Sequence, residues 1–262
     1  MGKVAIVTGG SSGIGLCTAR SLKEKGCTVY ELSRHDGTGE FNHITADVTD
    51  EAAVIKAVDE VFEKEGRIDI VVNCAGFGIS GATEFTRTED AKSQLDVNFF
   101  GMVHTNKAVL SRMRETGGGR IINISSVAAP IPIPFQTYYS ASKAAISAYT
   151  CAVANEVAPY NISMCAILPG DTKTGFTGAR KKSLEGDDAY GGRIAKSVAV
   201  MEHDEMNGTD PKVTGAYIAK IAFKKKVKPY YAVGFKYKAF CVIMKLLPIS
   251  ISNKLIGMIY AK

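Results

Sequence analysis

A glycine-rich turn directly after the first apolar run is the feature that most constrains how this chain can fold. The run KVAIVT begins at Lys3, and TGGSSGIG follows over residues 8–15. Glycines permit a tight turn and let backbone N–H groups approach a phosphate at the positive end of a helix. A strand, this turn and then a helix together predict the phosphate-binding corner of a dinucleotide-binding fold.

Beyond the turn, runs rich in Val and Ile alternate with longer helical stretches. Strands are predicted near residues 3–8, 27–33, 43–46, 68–73, 120–125, 162–168 and 229–233. Helices are predicted near residues 13–25, 50–65, 88–116, 136–158 and 210–225. Such alternation is typical of parallel strands whose two faces are both covered by helices. The predicted fold class is therefore α/β, a doubly wound, Rossmann-like parallel sheet of about seven strands.

The domain organisation is expected to be simple. The 262 residues contain no repeat and no linker rich in Pro, Gly or Ser, so a single domain over residues 1–262 is predicted. Within it, the irregular segment 170–208 is predicted to be a substrate flap. Residues 235–262 are expected to form a helical extension of two amphipathic helices, since Phe240, Ile243 and Leu247 follow helical spacing. Lysines at positions 238, 245 and 254 interrupt the apolar residues, which predicts no membrane-spanning segment.

The positive charge of the chain is concentrated at its end. The net charge is +6, yet residues 211–262 contain eleven lysines and no acidic residue, which leaves −5 for residues 1–210. A basic tail could contact anionic lipid, an acidic carrier protein or nucleic acid. Its lysines are interleaved with apolar residues, which favours a solvated helical face, with peripheral membrane contact as the alternative and no nucleic-acid binding.

The cysteines and histidines predict neither a metal site nor a disulfide framework. Six cysteines stand at positions 17, 27, 74, 151, 165 and 241, and the four histidines are equally scattered, so no metal-ligand spacing is present. A strand that begins at Lys3 leaves no room for a secretory signal. Buried thiols in a reducing cytoplasm are therefore expected.

A tyrosine and a lysine supply the candidate acid–base chemistry. Tyr139 and Lys143 are four residues apart in a predicted helix, so they share one face. An ammonium beside a phenol favours the phenolate and lowers a pKa that is ordinarily about 10. Such a tyrosine can exchange a proton with a carbonyl oxygen. The neighbouring Tyr138 has Ser142 at the same spacing and lacks this partner.

An ordered series of motifs resembles the short-chain dehydrogenase/reductase family over most of the chain. The series comprises the TGxxxGxG turn, Asp47-Val48, Asn73-Cys74-Ala75-Gly76, Asn98, Ser126, Tyr139-x-x-x-Lys143 and Pro169-Gly170. The resemblance implies that Ser126 bonds the substrate oxygen and that Asn98 holds a water for proton relay. The adjacent Ser125 is the alternative serine, but strand alternation points the two side chains in opposite directions.

The resemblance also implies a set of cofactor contacts. Gly9, Ser11, Ser12, Gly13, Ile14 and Gly15 would surround the pyrophosphate, Asp47 and Val48 the adenine, and Asn73, Ala75 and Gly76 the ribose side. Tyr139 and Lys143 would contact the nicotinamide ribose, and Pro169, Gly170, Thr172 and Thr174 the carboxamide. One departure from the family pattern is Asp171-Thr172, where an aliphatic residue often follows the Pro-Gly pair.

The end of the second strand predicts the choice of cofactor. An acidic residue there would bind the adenosine ribose of NAD, whereas this chain has Ser33 and Arg34. A guanidinium pairs with a 2′-phosphate, so NADP(H) is predicted. If Arg34 is only a solvated loop residue, the enzyme accepts both cofactors. Glu31 is an acid expected on the same face as Ser33.

The predicted activity is interconversion of a ketone and a secondary alcohol on a small lipophilic substrate. The ending KPYYAVGFKYK before two apolar-striped helices resembles the hydroxysteroid and retinoid dehydrogenase branches, and PIPIPF at 130–135 predicts an apolar wall. A steroid or bile-acid-like substrate is favoured. The alternatives are a reductase of small carbonyl or acyl intermediates and a non-catalytic NADP(H)-binding regulatory protein. Family members pair through the helices corresponding to 88–116 and 136–158, which implies a homodimer or homotetramer.

Overall fold

A computed structural model describes residues 2–261 of the chain. The strands are β1 (Val4–Thr8), β2 (Thr28–Ser33), β3 (Asn42–Thr45), β4 (Ile70–Asn73), β5 (Ile79–Ser80), β6 (Gly119–Ile124), β7 (Ile162–Leu168), β8 (Lys181–Lys182) and β9 (Tyr230–Ala232). The α-helices are α1 (Gly13–Glu24), α2 (Glu51–Glu65), α3 (Thr88–Leu95), α4 (Gly101–Glu115), α5 (Thr137–Val157), α6 (Phe176–Ala179), α7 (Arg193–Met206), α8 (Pro211–Ala222), α9 (Phe235–Leu246) and α10 (Ile249–Tyr260). A π-helical turn spans Asp96–Phe100, and 3₁₀ turns span Thr83–Phe85 and Ala158–Tyr160.

Seven parallel strands form the central sheet in the order β3-β2-β1-β4-β6-β7-β9, which confirms the predicted fold class. Every residue of β1 and β4 is buried, as expected where helices cover both faces. One face packs against apolar side chains of α2, α4 and α5, such as Val58, Met113 and Val153. The other face packs against α1 and α8, through residues such as Leu22 and Ile218.

The strand order reverses between β1 and β4. The chain first moves outward from β1 to β2 and β3, then returns to place β4 on the other side of β1. A crevice opens where neighbouring connections leave a parallel sheet in opposite directions, and ligands bind there, beyond the carboxyl ends of the strands. The loops that begin after Thr8 and Asn73 therefore define the expected site.

Two local features differ from the sequence-based prediction. The helix predicted over 88–116 is divided into α3 and α4 by the π-helical turn, because the Asn98 side chain is held by the loop after β4. A small parallel sheet of β5 and β8 ties segment 170–208 to that same loop. The Lys181 and Ser183 N–H groups donate to the Gly78 and Ser80 carbonyls at 2.9 Å.

The C-terminal extension contains the two predicted amphipathic helices, α9 and α10, which are separated by Leu247 and Pro248. Proline has no N–H and disfavours a helical conformation in the residue before it, so α9 ends at this point. Within residues 2–261, no helix is long and apolar enough to cross a membrane.

Candidate active site

A cavity of about 490 Å³ opens at the carboxyl ends of β1, β4, β6 and β7. Its walls include fourteen of the sequence-predicted site residues: Gly9, Ser12, Gly13, Ile14, Gly15, Ala75, Gly76, Ser126, Tyr139, Lys143, Pro169, Gly170, Thr172 and Thr174. The topology brings these distant segments together because each follows the end of a parallel strand or lies at the start of the next helix.

The glycine-rich turn fits a dinucleotide pyrophosphate. Gly9 and Gly13 have φ angles of 64° and 53°, which favour glycine. A side chain at Gly15 would place its Cβ 2.2 Å from the Gly9 carbonyl oxygen. Ser12 precedes α1 without capping it through its side chain, so the first N–H groups of this helix can receive an anion.

The adenosine end of the predicted cofactor site lies where β2 ends, outside the cavity walls. The Gly9 N–H donates to the Leu32 carbonyl at 2.8 Å, which holds the end of β2 against the glycine turn. Ser33 follows there, and Arg34 is exposed and forms no salt bridge within residues 2–261. Asp47 accepts hydrogen bonds from Thr49, and Ser11 and Val48 also lie outside these walls.

Glu31 is buried beneath the glycine turn. Its carboxylate lies 2.5 Å from His43 Nδ1 and 3.4 Å from the Ser33 hydroxyl, which confirms that Glu31 and Ser33 share a face. A Cβ at Gly10 would lie 2.7 Å from the Glu31 Cβ. The acid is therefore held by a histidine of the neighbouring strand while Arg34 is free in solvent, an arrangement compatible with a 2′-phosphate.

Tyr139 and Lys143 lie on successive turns of α5, as predicted. Lys143 Nζ is 5.6 Å from the centre of the Tyr139 ring and donates to the Ile124 carbonyl at 2.9 Å. Ser126 follows β6, and its Oγ accepts from the Ala128 N–H at 3.1 Å. The hydroxyl of Ser125 instead donates to the Lys143 carbonyl at 2.9 Å and contacts Ser147.

The pKa of Tyr139 differs from the sequence-based expectation. Burial raises it to about 12, a hydrogen bond to Ser126 acts in the opposite direction, and the Glu205 carboxylate raises it further. The predicted lowering of this pKa by Lys143 is absent; the ammonium lies 5.6 Å from the centre of the Tyr139 ring. Burial lowers the pKa of Lys143 to about 8. The phenol is therefore a neutral proton donor near pH 7.

Asn98 occupies the π-helical turn, a feature that often marks functional sites. Its Nδ2 donates to the Phe77 carbonyl at 3.0 Å and to Ser142 Oγ at 3.1 Å, and its Oδ1 accepts from the Phe77 N–H. Ser142 Oγ in turn donates to the Tyr139 carbonyl at 2.8 Å. The Asn98 side chain thus joins the loop after β4 to α5, and it does not line the cavity.

The sequence predicts Asn73 beside the cofactor ribose, but in the structure Asn73 does not line the cavity. Its Nδ2 donates to both Asn106 Oδ1 and Asn123 Oδ1 at 2.8 Å, and Asn123 donates to Thr150. This side chain points into a buried polar network between the sheet and its covering helices, since an amide in the interior requires partners. Its neighbours after β4, residues 74–77, do line the cavity, and they include the predicted Ala75 and Gly76.

Sequence reasoning predicted segment 170–208 as a substrate flap but did not name the individual side chains that line this part of the cavity. They are Phe176, Met201, Glu205 and Tyr260, with Asp171 beside them. Asp171 accepts a hydrogen bond of 2.6 Å from the Tyr237 hydroxyl, and Glu205 is paired with Arg180. No local motif predicts these residues, because they come from α6, α7, α10 and the loop after β7 and come together only in the folded chain.

The fold and this site define a nicotinamide-dependent oxidoreductase of the Rossmann type. The features that define this class are a glycine-rich turn for a pyrophosphate where the strand order reverses, and the neighbouring side chains of Ser126, Tyr139 and Lys143. The family model described as short chain dehydrogenase matches residues 3–185. The chain belongs to the short-chain dehydrogenase family.

Individual relatives extend the similarity over nearly the whole chain. The 3-ketodihydrosphingosine reductase of Bacteroides thetaiotaomicron is 41% identical over 243 residues, covering 89% of this chain and 90% of that protein. The 3-dehydrosphinganine reductase of Danio rerio is 34% identical, covering 70% of this chain and 61% of that protein. A solved short-chain dehydrogenase from Streptomyces avermitilis superposes with a TM-score of 0.84 at 29% identity, covering 97% of this chain and 95% of that one.

Proposed function

We propose that this enzyme uses NADPH to reduce the ketone of a long-chain lipid, in particular a keto sphingoid base. The observation that carries the proposal is the position of Tyr139, with Ser126 beside it, in a cavity closed by Phe176, Met201 and Tyr260. The names of two relatives, a 3-ketodihydrosphingosine reductase and a 3-dehydrosphinganine reductase, favour the sphingoid class.

The residues around the cavity have distinct roles in this reaction. When bound, a reduced nicotinamide supplies the hydride that adds to the carbonyl carbon. The Ser126 hydroxyl hydrogen-bonds the substrate oxygen, and Tyr139 donates the proton that converts this oxygen to a hydroxyl. Lys143 would hold the nicotinamide ribose, while Asn98 positions the helix that carries both Tyr139 and Lys143.

The preference for NADPH rests on Arg34 and Ser33 at the end of β2. Their guanidinium and hydroxyl groups would bind the 2′-phosphate, and Asp47 and Val48 would lie near the adenine. One carboxylate oxygen of Glu31 is held by His43, at 2.5 Å from its Nδ1. We place the reaction in the cytoplasm, where the six free cysteines would stay reduced, and expect a homodimer or homotetramer.

A carboxylate beside Tyr139 favours a substrate with a positive charge. Asp171 lines the cavity, where its carboxylate accepts, within residues 2–261, only from the Tyr237 hydroxyl, whereas Glu205 is already paired with Arg180. Lys143 is the only basic side chain among the described lining residues. A keto sphingoid base carries an amine next to its ketone, whereas a steroid ketone or a bile acid carries none. We therefore favour the amino ketone over the steroid or bile-acid-like substrate that the sequence suggested.

Replacing Asp171 with Asn should reveal a contact to this amine. The amide keeps an oxygen for the Tyr237 hydroxyl but removes the charge. We expect the KM for a long-chain amino ketone to rise about tenfold, the worth of one charged hydrogen bond, with little change for a ketone lacking the amine. Asp204→Asn, which removes a charge on α7 outside the cavity walls, is the matched control. Equal changes for both substrates would contradict the amine contact.

The proposed function is tested by comparing kcat/KM for NADPH-dependent reduction across four substrate classes. These are long-chain amino ketones, keto-steroids and keto-bile acids, small ketones, and acyl intermediates. The proposal predicts the highest value for the amino ketone. A higher value for a steroid or an acyl substrate would overturn the substrate assignment, and no turnover of any class would favour a regulatory NADP(H)-binding protein.

Segment 170–208 is proposed as the flap over this substrate.

A further inference from the structure

We propose that the outer faces of α9 and α10 form a docking surface for an anionic lipid membrane, next to the mouth of the active site. The proposal rests on the proposed function only where it concerns delivery of a lipid substrate. Membrane docking itself follows from the exposure, charge and position of the two helices.

The outer face of α9 is an apolar stripe between lysines. Phe235, Val242 and Leu246 are spaced seven and four residues apart, which places them on one face, and they are 86%, 59% and 79% exposed. By helical geometry, Lys238 and Lys245 lie along one side of this stripe and Lys236 along the other. An apolar stripe flanked by lysines is typical of helices that lie in the plane of a membrane interface.

The helix α10 repeats this arrangement. Ile251, Leu255, Met258 and Ile259 follow spacings of four, seven and eight residues, and each is at least 36% exposed. Lys254 lies beside them, and Ile249 at the start of the helix is 86% exposed. Exposed apolar side chains concentrated on one surface mark an interaction site more often than scattered ones do.

The inner faces of the same helices pack on the active-site wall. Met244 of α9 and Ile256 of α10 are buried against Ile131, which belongs to the apolar segment before α5. Tyr260 at the end of α10 lines the cavity, and Tyr237 of α9 is hydrogen-bonded to Asp171. The docking surface and the cavity are thus two sides of one helical layer, so a long alkyl chain that leaves the cavity past Tyr260 would meet the membrane.

Charge complementarity selects anionic lipid as the occupant. The helices α9 and α10 together contain four lysines and no acidic residue, so an anionic surface meets no repelling carboxylate from these helices. Each lysine near an anionic bilayer adds an attraction that falls off within a Debye length. A second copy of this chain would instead bring the same lysines together, which disfavours an interface between like faces.

The test is co-sedimentation of the full chain with vesicles of phosphatidylcholine, with or without phosphatidylglycerol. We expect at least about tenfold stronger binding to the anionic vesicles, and loss of most of this gain in about 1 M salt. Val242→Asp should weaken anionic binding about fivefold, and Val242→Asp with Leu246→Asp more than about tenfold, because charges replace apolar contacts with the bilayer.

Val213→Asp is the matched control. Val213 lies on α8 and is 59% exposed, as Val242 is, and the substitution introduces the same charge. Its vesicle binding should stay within about twofold of the unmodified chain. Turnover of a water-soluble ketone and the melting temperature report whether each variant folds.

Three results would overturn the docking surface. They are failure of the unmodified chain to bind anionic vesicles at low salt, equal losses in Val213→Asp and Val242→Asp, and unchanged vesicle binding in the double variant. If the double variant changes the oligomeric state of the chain in the absence of vesicles while vesicle binding persists, this face is an interface between two copies of the chain. Vesicle binding needs no substrate, so failure of docking is distinguishable from failure of the proposed ketone reduction.

Discussion

Tyr139→Phe should lower kcat for ketone reduction by a factor of about 10³ to 10⁴, the upper range of what a positioned general acid contributes. The phenyl ring keeps its packing against Phe176, whose ring centre lies 5.7 Å away, so the cavity should retain its shape. NADPH affinity, measured by fluorescence titration, should change little, because the pyrophosphate cradle and Arg34 are untouched. Both measurements on one preparation separate a lost proton donor from a damaged fold.

Tyr138→Phe is the control for this prediction. Tyr138 is adjacent in α5 but does not line the cavity, so its replacement should leave kcat within about twofold of the unmodified enzyme. If Tyr139→Phe keeps full activity, the proton comes from another group and the assignment of the acid is wrong.

Arg34→Asp should reverse the choice of cofactor. Removing a charge-assisted bond to the 2′-phosphate costs about 1.5–3 kcal/mol, and a carboxylate in its place adds repulsion. We therefore expect the Kd for NADPH to rise at least about 100-fold, while the Kd for NADH changes by less than about threefold. Titration of each cofactor with the unmodified and variant chains measures both values.

The control for Arg34→Asp replaces an exposed arginine that lies outside the proposed cofactor site. Arg87 precedes α3, is 74% exposed in its side chain and lies outside the proposed cofactor site. Arg87→Asp makes the same change in net charge and should leave both cofactor affinities unchanged within about twofold. Equal weakening of NADPH and NADH by Arg34→Asp would show that Arg34 does not read the 2′-phosphate.

Much of the fold could be predicted because its determinants are local. The turn after Thr8 needs glycines at positive φ, and the Val- and Ile-rich runs are buried on both faces, so the sequence itself carries the strand–helix alternation. The same holds for Tyr139 and Lys143, whose spacing of four residues fixes a shared helical face before any tertiary contact is known.

The remaining features depend on contacts between distant segments. The π-helical turn at Asn98 forms because a side chain of this helix bonds Phe77, 21 residues away. Asn73 joins a buried network with Asn106 and Asn123, which are distant in the sequence, so no local pattern reveals the contact. The raised pKa of Tyr139 likewise follows from burial among several segments, and the lowering expected from Lys143 is absent.

The most direct test of the central claim is to incubate the purified chain with 3-ketodihydrosphingosine in mixed micelles and to follow the product by mass spectrometry. NADPH and NADH are supplied in separate reactions, with Tyr139→Phe as the inactive control. The account predicts the corresponding alcohol in proportion to NADPH consumed, much less with NADH, and almost none from the variant. Absence of the alcohol under conditions where the same preparation reduces another ketone with NADPH would contradict it.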